Sequence, residues 1–79
     1  MDNTLKKVKS ILAKHLGFSE DQIEENSKLV EDLQADSLDT VEIVMAIEDE
    51  FQIDIHDKYA EQMKTVKDIV DFLQEVNNN

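Results

Sequence analysis

The sequence predicts an all-α fold: a small four-helix bundle of three main helices plus one short helix, with a long ordered loop between the first two. Three observations carry this expectation. Apolar residues recur at intervals of three and four in three separate stretches, the signature of helical stripes buried against one another. No internal repeat or Pro/Gly-rich linker divides the chain, which holds one glycine and no proline. Its 79 residues fit one domain spanning 1–79, and at this size folding buries only about 60% of the surface that the unfolded chain exposes, so there is room for one core.

The first stripe is Leu5, Val8, Ile11, Leu12 and Leu16, which predicts helix one at about residues 3 to 16. Asp2, Asn3 or Thr4 can cap its start, and Gly17 suits the left-handed residue that ends many helices. About twenty residues of connection follow, longer than a compact domain usually tolerates without structure of its own. Ser19 with Gln22 makes a capping-box pattern for one short turn, and Phe18, Ile23, Leu29, Val30 and Leu33 are expected to pin the segment to the core. It reads as a packed loop.

From Ser37 to about Phe51 the pattern is again helical, with Asp36 as the N-cap and Asp39 adding favourable charge to the first turn. At about 100° per residue, Ile43, Val44, Ile47 and Phe51 share one side while Asp39, Glu42, Asp49 and Glu50 lie roughly opposite. Leu38, Val41 and Met45 run between them as an apolar rim, either core edge or contact surface. Ile53-Asp54-Ile55 has a short alternation that can pass for a strand, and residues 57 to 63 can form a short helix. Thr65 with Asp68 resembles another cap. Val66, Ile69, Val70, Leu73 and Val76 give a last helix, and Asn77, Asn78 and Asn79 are expected to fray.

Composition narrows the function. Eight Lys and Arg against 19 Asp and Glu leave a formal charge of −11, beyond the magnitude of roughly 2 to 8 that keeps a small domain soluble. Such a chain is repelled by nucleic-acid phosphates and anionic lipid alike. The longest aliphatic run, residues 43–47, falls far short of the ~20 residues that span a bilayer, and the N-terminus has no apolar signal core. A soluble cytoplasmic monomer without membrane insertion is the expectation. With no cysteine, there is no disulfide, thiolate nucleophile or thiol metal ligand, so any sulfur chemistry requires an added cofactor.

Enzyme and metal readings find little support. His15 reads as a residue of the last turn of helix one and His56 as a loop or cap residue. Ser37 has no glycine elbow around it, and no glycine-rich phosphate loop exists. No window supplies an EF-hand's central glycine with its ligands, so no specific metal is expected, although closely spaced carboxylates bind divalent cations diffusely. The charge is polarised: residues 1–16 hold four Lys and one acid, whereas residues 29–57 hold ten acids and no base.

The residues Glu31-Asp32-Leu33-Gln34-Ala35-Asp36-Ser37-Leu38-Asp39-Thr40-Val41-Glu42 resemble the prosthetic-group attachment segment of acyl carrier proteins, and the resemblance in length, acidity and helix order extends over nearly the whole chain. It implies that a phosphopantetheinyl transferase uses coenzyme A to place 4′-phosphopantetheine on Ser37, and that the arm carries acyl groups as thioesters for fatty acid synthesis enzymes with basic docking surfaces. The protein itself is then not an enzyme. The same resemblance assigns partner recognition to Asp36, Leu38, Asp39, Val41, Glu42, Met45, Glu48, Asp49 and Glu50. It also makes Val44, Ile47, Phe51, Ile55, Ile69 and Leu73 candidates for an acyl-chain pocket. Alternatives are a carrier for a specialised polyketide, peptide or cell-envelope pathway, or an unmodified acidic helical adaptor. Three positions depart from the common pattern of the family: Gln34 and Gln52 stand where glycine is frequent, and His56 where proline is common.

Overall fold

Burial of the first apolar stripe organises the bundle. In the computed structural model, which describes residues 3–77, helix α1 spans Thr4–Leu16. Val8 and Leu12 are fully buried, and Leu5, Ile11 and Leu16 pack at the edge of the same core. α1 lies against both other long helices, α2 (Ser37–Phe51) and α4 (Val66–Asn77). Ile43 and Ile47 of α2 and Val66, Ile69, Val70 and Leu73 of α4 complete the interior. Helices of this length are marginal alone in water, so the shared core is what holds them. The short α3 (Asp57–Ala60) follows α2.

The helix ends follow their capping residues. Gly17 closes α1 at φ 78°, its N–H donating to the Ala13 carbonyl at 2.9 Å. Asn3 occupies the opening cap position, but its side chain makes no capping hydrogen bond; Asp2 lies outside the described residues. At α4, Asp68 N–H donates to Thr65 Oγ1 and Thr65 N–H to Asp68 Oδ2, both at 3.1 Å, the reciprocal box that the spacing predicts. α4 extends to Asn77, while Asn78 and Asn79 lie outside the described residues.

The connection between α1 and α2 is packed, as its apolar content implies. Gln22 Oε1 accepts from Ser19 N–H at 2.9 Å and closes a single 3₁₀ turn, Glu20–Gln22. Further on, the chain pairs with the segment ahead of α4: Leu29 N–H donates to the Lys64 carbonyl at 2.9 Å, Val66 N–H to that of Ser27 at 3.1 Å, and Lys67 N–H to that of Glu25 at 2.8 Å. Lys28 and Thr65 form an isolated antiparallel bridge. The next turn, in which the Asp32 and Leu33 N–H groups both reach the Lys28 carbonyl, buries Leu29 and Leu33 but sends Val30 outward, 61% exposed. Val30 is therefore not a core residue.

Two further expectations need correction. Ile53-Asp54-Ile55 forms no strand; Ile55 is buried and Ile53 half-buried with Asp54 exposed between them, so the alternation is real, but the segment has no partner strand. The helix expected over 57–63 stops at Ala60, and a turn carries the chain to buried Met63. His56 caps that helix, its Nδ1 accepting from Lys58 N–H at 3.2 Å, and its φ of −65° is the value that proline imposes.

Gln34 (φ 60°) and Gln52 (φ 56°) both adopt the left-handed conformation that glycine takes freely. Gln52 partly compensates, since its side-chain amide donates to the Asp49 carbonyl at 2.7 Å; the exposed Gln34 makes no hydrogen bond of this kind. Gln34→Gly is accordingly expected to stabilise the fold by about 1 kcal/mol and Gly17→Ala to destabilise it by a similar amount. Urea denaturation of the two variants checks both signs.

Candidate functional site

Ser37 is the first residue of α2 and its side chain is exposed. Two flanking aspartates build its setting. Asp36 Oδ1 accepts from Asp39 N–H at 2.8 Å, and Asp39 Oδ2 accepts from Asp36 N–H at 3.1 Å. Thr40 closes the first turn from inside, with both its N–H and its hydroxyl donating to the Asp36 carbonyl. The amide N–H groups of Ser37 and Leu38 are left without a partner among the described residues. A nucleophilic oxygen thus projects into solvent beside the positive end of a 15-residue helix, where an attached anion finds free donors. The neighbouring carboxylates are occupied by their own backbone bonds, which tempers their repulsion. A phosphodiester fits this position.

The face running away from Ser37 is acidic and partly apolar. Glu42, Asp49 and Glu50 are exposed and Asp39 is half-exposed. Leu38, Val41 and Met45 are 65%, 54% and 60% exposed. The apolar rim is therefore surface and not core edge. Among the described residues the ion pairs are Lys28–Glu31 and Lys67–Asp71, so no lysine neutralises the acids of α2. Glu48 differs from its neighbours. It is half-buried, and its Oε2 accepts from Ile55 N–H at 2.7 Å.

Beside this face, between α2 and α3, lies an open groove of about 620 Å³. Thr40 and Val41, one helical turn from Ser37, stand at one end of its lining; Val44, Met45, Glu48, Ile55 and Ala60 continue it, with Asp57 and Glu61 at the α3 side. Of the six expected pocket residues, Val44 and Ile55 line this groove. Ile47, Ile69 and Leu73 sit in the closed core behind it, and Phe51 packs at the core's edge with the Lys7 ammonium 5.6 Å from its ring centre. Thr40, Asp57, Ala60 and Glu61 belong to none of the expected sets, because the groove exists only where α3 comes to lie beside α2.

His15 is exposed at the end of α1 and His56 at the cap of α3, in separate elements. Among the described residues no three His, Asp or Glu side chains converge where a metal ion can be held, and no helix is long and apolar enough to cross a membrane.

The family model described as "Phosphopantetheine attachment site" matches residues 6–73, most of the chain. Those residues take in the helix core, the capped start of α2 and the groove.

Unneutralised acids crowded on one helix repel one another, and added ions screen that repulsion. The melting temperature is therefore expected to rise with added NaCl and more steeply with MgCl₂. A flat response in thermal denaturation would mean that the α2 carboxylates are too well solvated to strain the fold.

Proposed function

The chain belongs to the phosphopantetheine-attachment family, and from that premise we propose that it is an acyl carrier of fatty acid synthesis, loaded on Ser37 and presented to its enzymes by the acidic face of α2. The prosthetic group of the family is 4′-phosphopantetheine, held covalently; when bound, it supplies the thiol that this cysteine-free chain lacks and carries acyl groups as thioesters.

The observation that supports Ser37 is its contrast with the other serines. Of the four in the chain, Ser10 lies within α1, Ser19 precedes a three-residue 3₁₀ turn, and Ser27 is buried with its hydroxyl accepting from Glu24 N–H. Ser37 alone combines an exposed hydroxyl with the N-terminus of a long helix and unpaired amide donors. In this reading Ser37 Oγ, giving up its proton, attacks the pantetheine-bearing phosphorus of coenzyme A on a phosphopantetheinyl transferase; the pyrophosphate P–O bond breaks and adenosine 3′,5′-bisphosphate leaves. The Asp36–Asp39 box holds that oxygen at the helix start, and the chain performs no catalysis of its own.

Asp36, Asp39, Glu42, Asp49 and Glu50 supply the recognition charge, with Leu38, Val41 and Met45 as apolar contacts. A carrier must reach several enzymes quickly and leave each one quickly. Exposed charge raises association rates while adding little residence time, which suits weak and salt-sensitive docking on basic surfaces. The density of unpaired acid on α2 supports the fatty acid version over a carrier of a specialised pathway. The groove between α2 and α3 begins one turn from Ser37 and is the natural entrance for an acyl chain; the closed core behind it must yield before a chain of medium length is sheltered.

Incubation with coenzyme A and a phosphopantetheinyl transferase is expected to add the mass of one phosphopantetheinyl group to the intact protein and none to Ser37→Ala. Added mass on the Ser37→Ala variant would place the attachment elsewhere. Independently, Glu42→Lys is expected to load normally but to lower turnover by fatty acid synthesis enzymes at low salt by about tenfold, an effect that fades as salt rises. Normal turnover of this variant in a steady-state assay would remove Glu42 from the docking face.

A further inference from the structure

Glu48 does three things at the end of α2. Its backbone carbonyl accepts from the N–H groups of Gln52 and Ile53, and its carboxylate accepts from Ile55 N–H at 2.7 Å. The last bond reaches seven residues along the chain and ties the loop ahead of α3 back to the helix. Both of its ends line the groove, and Ile55 is also a core residue, 7% exposed. Ile55 is therefore the point at which groove floor and closed core meet.

Charge alone does not account for a carboxylate here. Glu48 sits in the last turn of α2, at the negative end of the helix dipole. Asp49 and Glu50 adjoin it in sequence, Asp57 and Glu61 share its groove, and no lysine ion-pairs with it. What the position does explain is the hydrogen bond, a charge-assisted acceptor for a backbone N–H that burial of Ile55 removes from water.

We infer that Glu48 is a positioning residue for cargo, a tether that keeps Ile55 seated so that an acyl chain passes from the groove into the core only when the Glu48–Ile55 bond opens. The inference rests on the carrier reading above, with the groove as the chain's entrance. Its physical content is linkage. The empty, closed state contains the bond and the chain-admitting state does not, so a change that removes the bond raises the free energy of the closed state and shifts the population toward the admitting one. Glu48→Gln keeps a carbonyl oxygen as acceptor and sheds an unfavourably placed charge; Glu48→Ala removes the acceptor.

Two measurements test this. In the unmodified protein, amide hydrogen exchange followed by NMR is expected to show the Ile55 N–H exchanging about tenfold faster in Glu48→Ala and near the wild-type rate in Glu48→Gln, with the Leu12 N–H in the core of α1 unchanged in both. In proteins loaded with octanoyl or acetyl arms, cleavage of the thioester by hydroxylamine reports shelter. Glu48→Ala is expected to slow cleavage of the octanoyl form several-fold and to leave the acetyl form, too short to pass Ile55, unaffected. An Ile55 amide indifferent to Glu48→Ala would overturn the tether. Octanoyl and acetyl forms cleaved equally fast in the wild type would overturn the groove reading and the gate with it. A sheltered octanoyl chain whose cleavage does not slow in Glu48→Ala would overturn the gate alone.

Discussion

The backbone pairing between the long loop and the segment ahead of α4 is the interaction on which the rest of this structure depends. A connection of about twenty residues with a single helical turn carries many polar backbone groups, and the pairs Leu29–Lys64, Val66–Ser27 and Lys67–Glu25 satisfy a share of them where the loop enters the bundle. They also fix the turn that follows. Because that turn is anchored, Leu29, Leu33 and Ala35 face the core and the chain arrives at Asp36 from one direction. The start of α2 is thus positioned from both sides, by a non-local pairing behind it and by its own capping box in front. A serine at a freely swinging loop end would be equally exposed, but its oxygen would have no fixed relation to the helix N-terminus or to the acids beyond it.

Most of the helical framework was legible because it is local. The stripes of α1, α2 and α4 repeat with the period of the helix, and Asp36 with Asp39, Thr65 with Asp68, and Gly17 each act on backbone within four residues of themselves. The capped helix start at Ser37 was legible from its immediate neighbours for the same reason. What stayed hidden was non-local or depended on direction. Nothing in the order of residues says that Lys28 meets Thr65, and without that anchor the apolar Val30 looks like its neighbour Leu29. The alternation of Ile53, Asp54 and Ile55 has the right period for a strand, but a strand needs a partner, and here the N–H of Ile55 goes to a side chain of α2 instead. Glu48 illustrates the limit most clearly. In sequence it is one of three consecutive acids; in space it turns inward while Asp49 and Glu50 stay exposed.

The core also proved shallower as a container than its residues imply. Six apolar positions on α2, α4 and the intervening loop can all belong to one core and still not line one opening. Ile47, Ile69 and Leu73 are packed shut, and only Val44 and Ile55 border the open groove. Protein interiors are close-packed, so in the proposed reading room for a chain comes from moving an element. The element beside that groove is α3, four residues long, held through Tyr59, whose ring lies 5.5 Å from that of Phe72 on α4. It adjoins the groove through Asp57 and Ala60, and its cap is a single 3.2 Å bond to His56.

These features explain how one helix serves opposed demands. α2 must bury Ile43 and Ile47 to hold a small core together and must also present carboxylates that repel one another. The two are compatible because the repulsion is confined to a face open to solvent and its ions, while burial is confined to the opposite side. The exceptions are the acids at the two ends. Asp36 and Asp39 lie where the helix dipole favours negative charge and turn that charge to closing the first turn. Glu48 lies where the dipole opposes it, and its carboxylate is held by Ile55 N–H. At the start of the helix charge and structure cooperate, and at the end they conflict. A loop that depends on the conflicted end is therefore easier to release than one capped like the start, and in the proposed reading that asymmetry pairs a rigid attachment point with a yielding entrance for cargo.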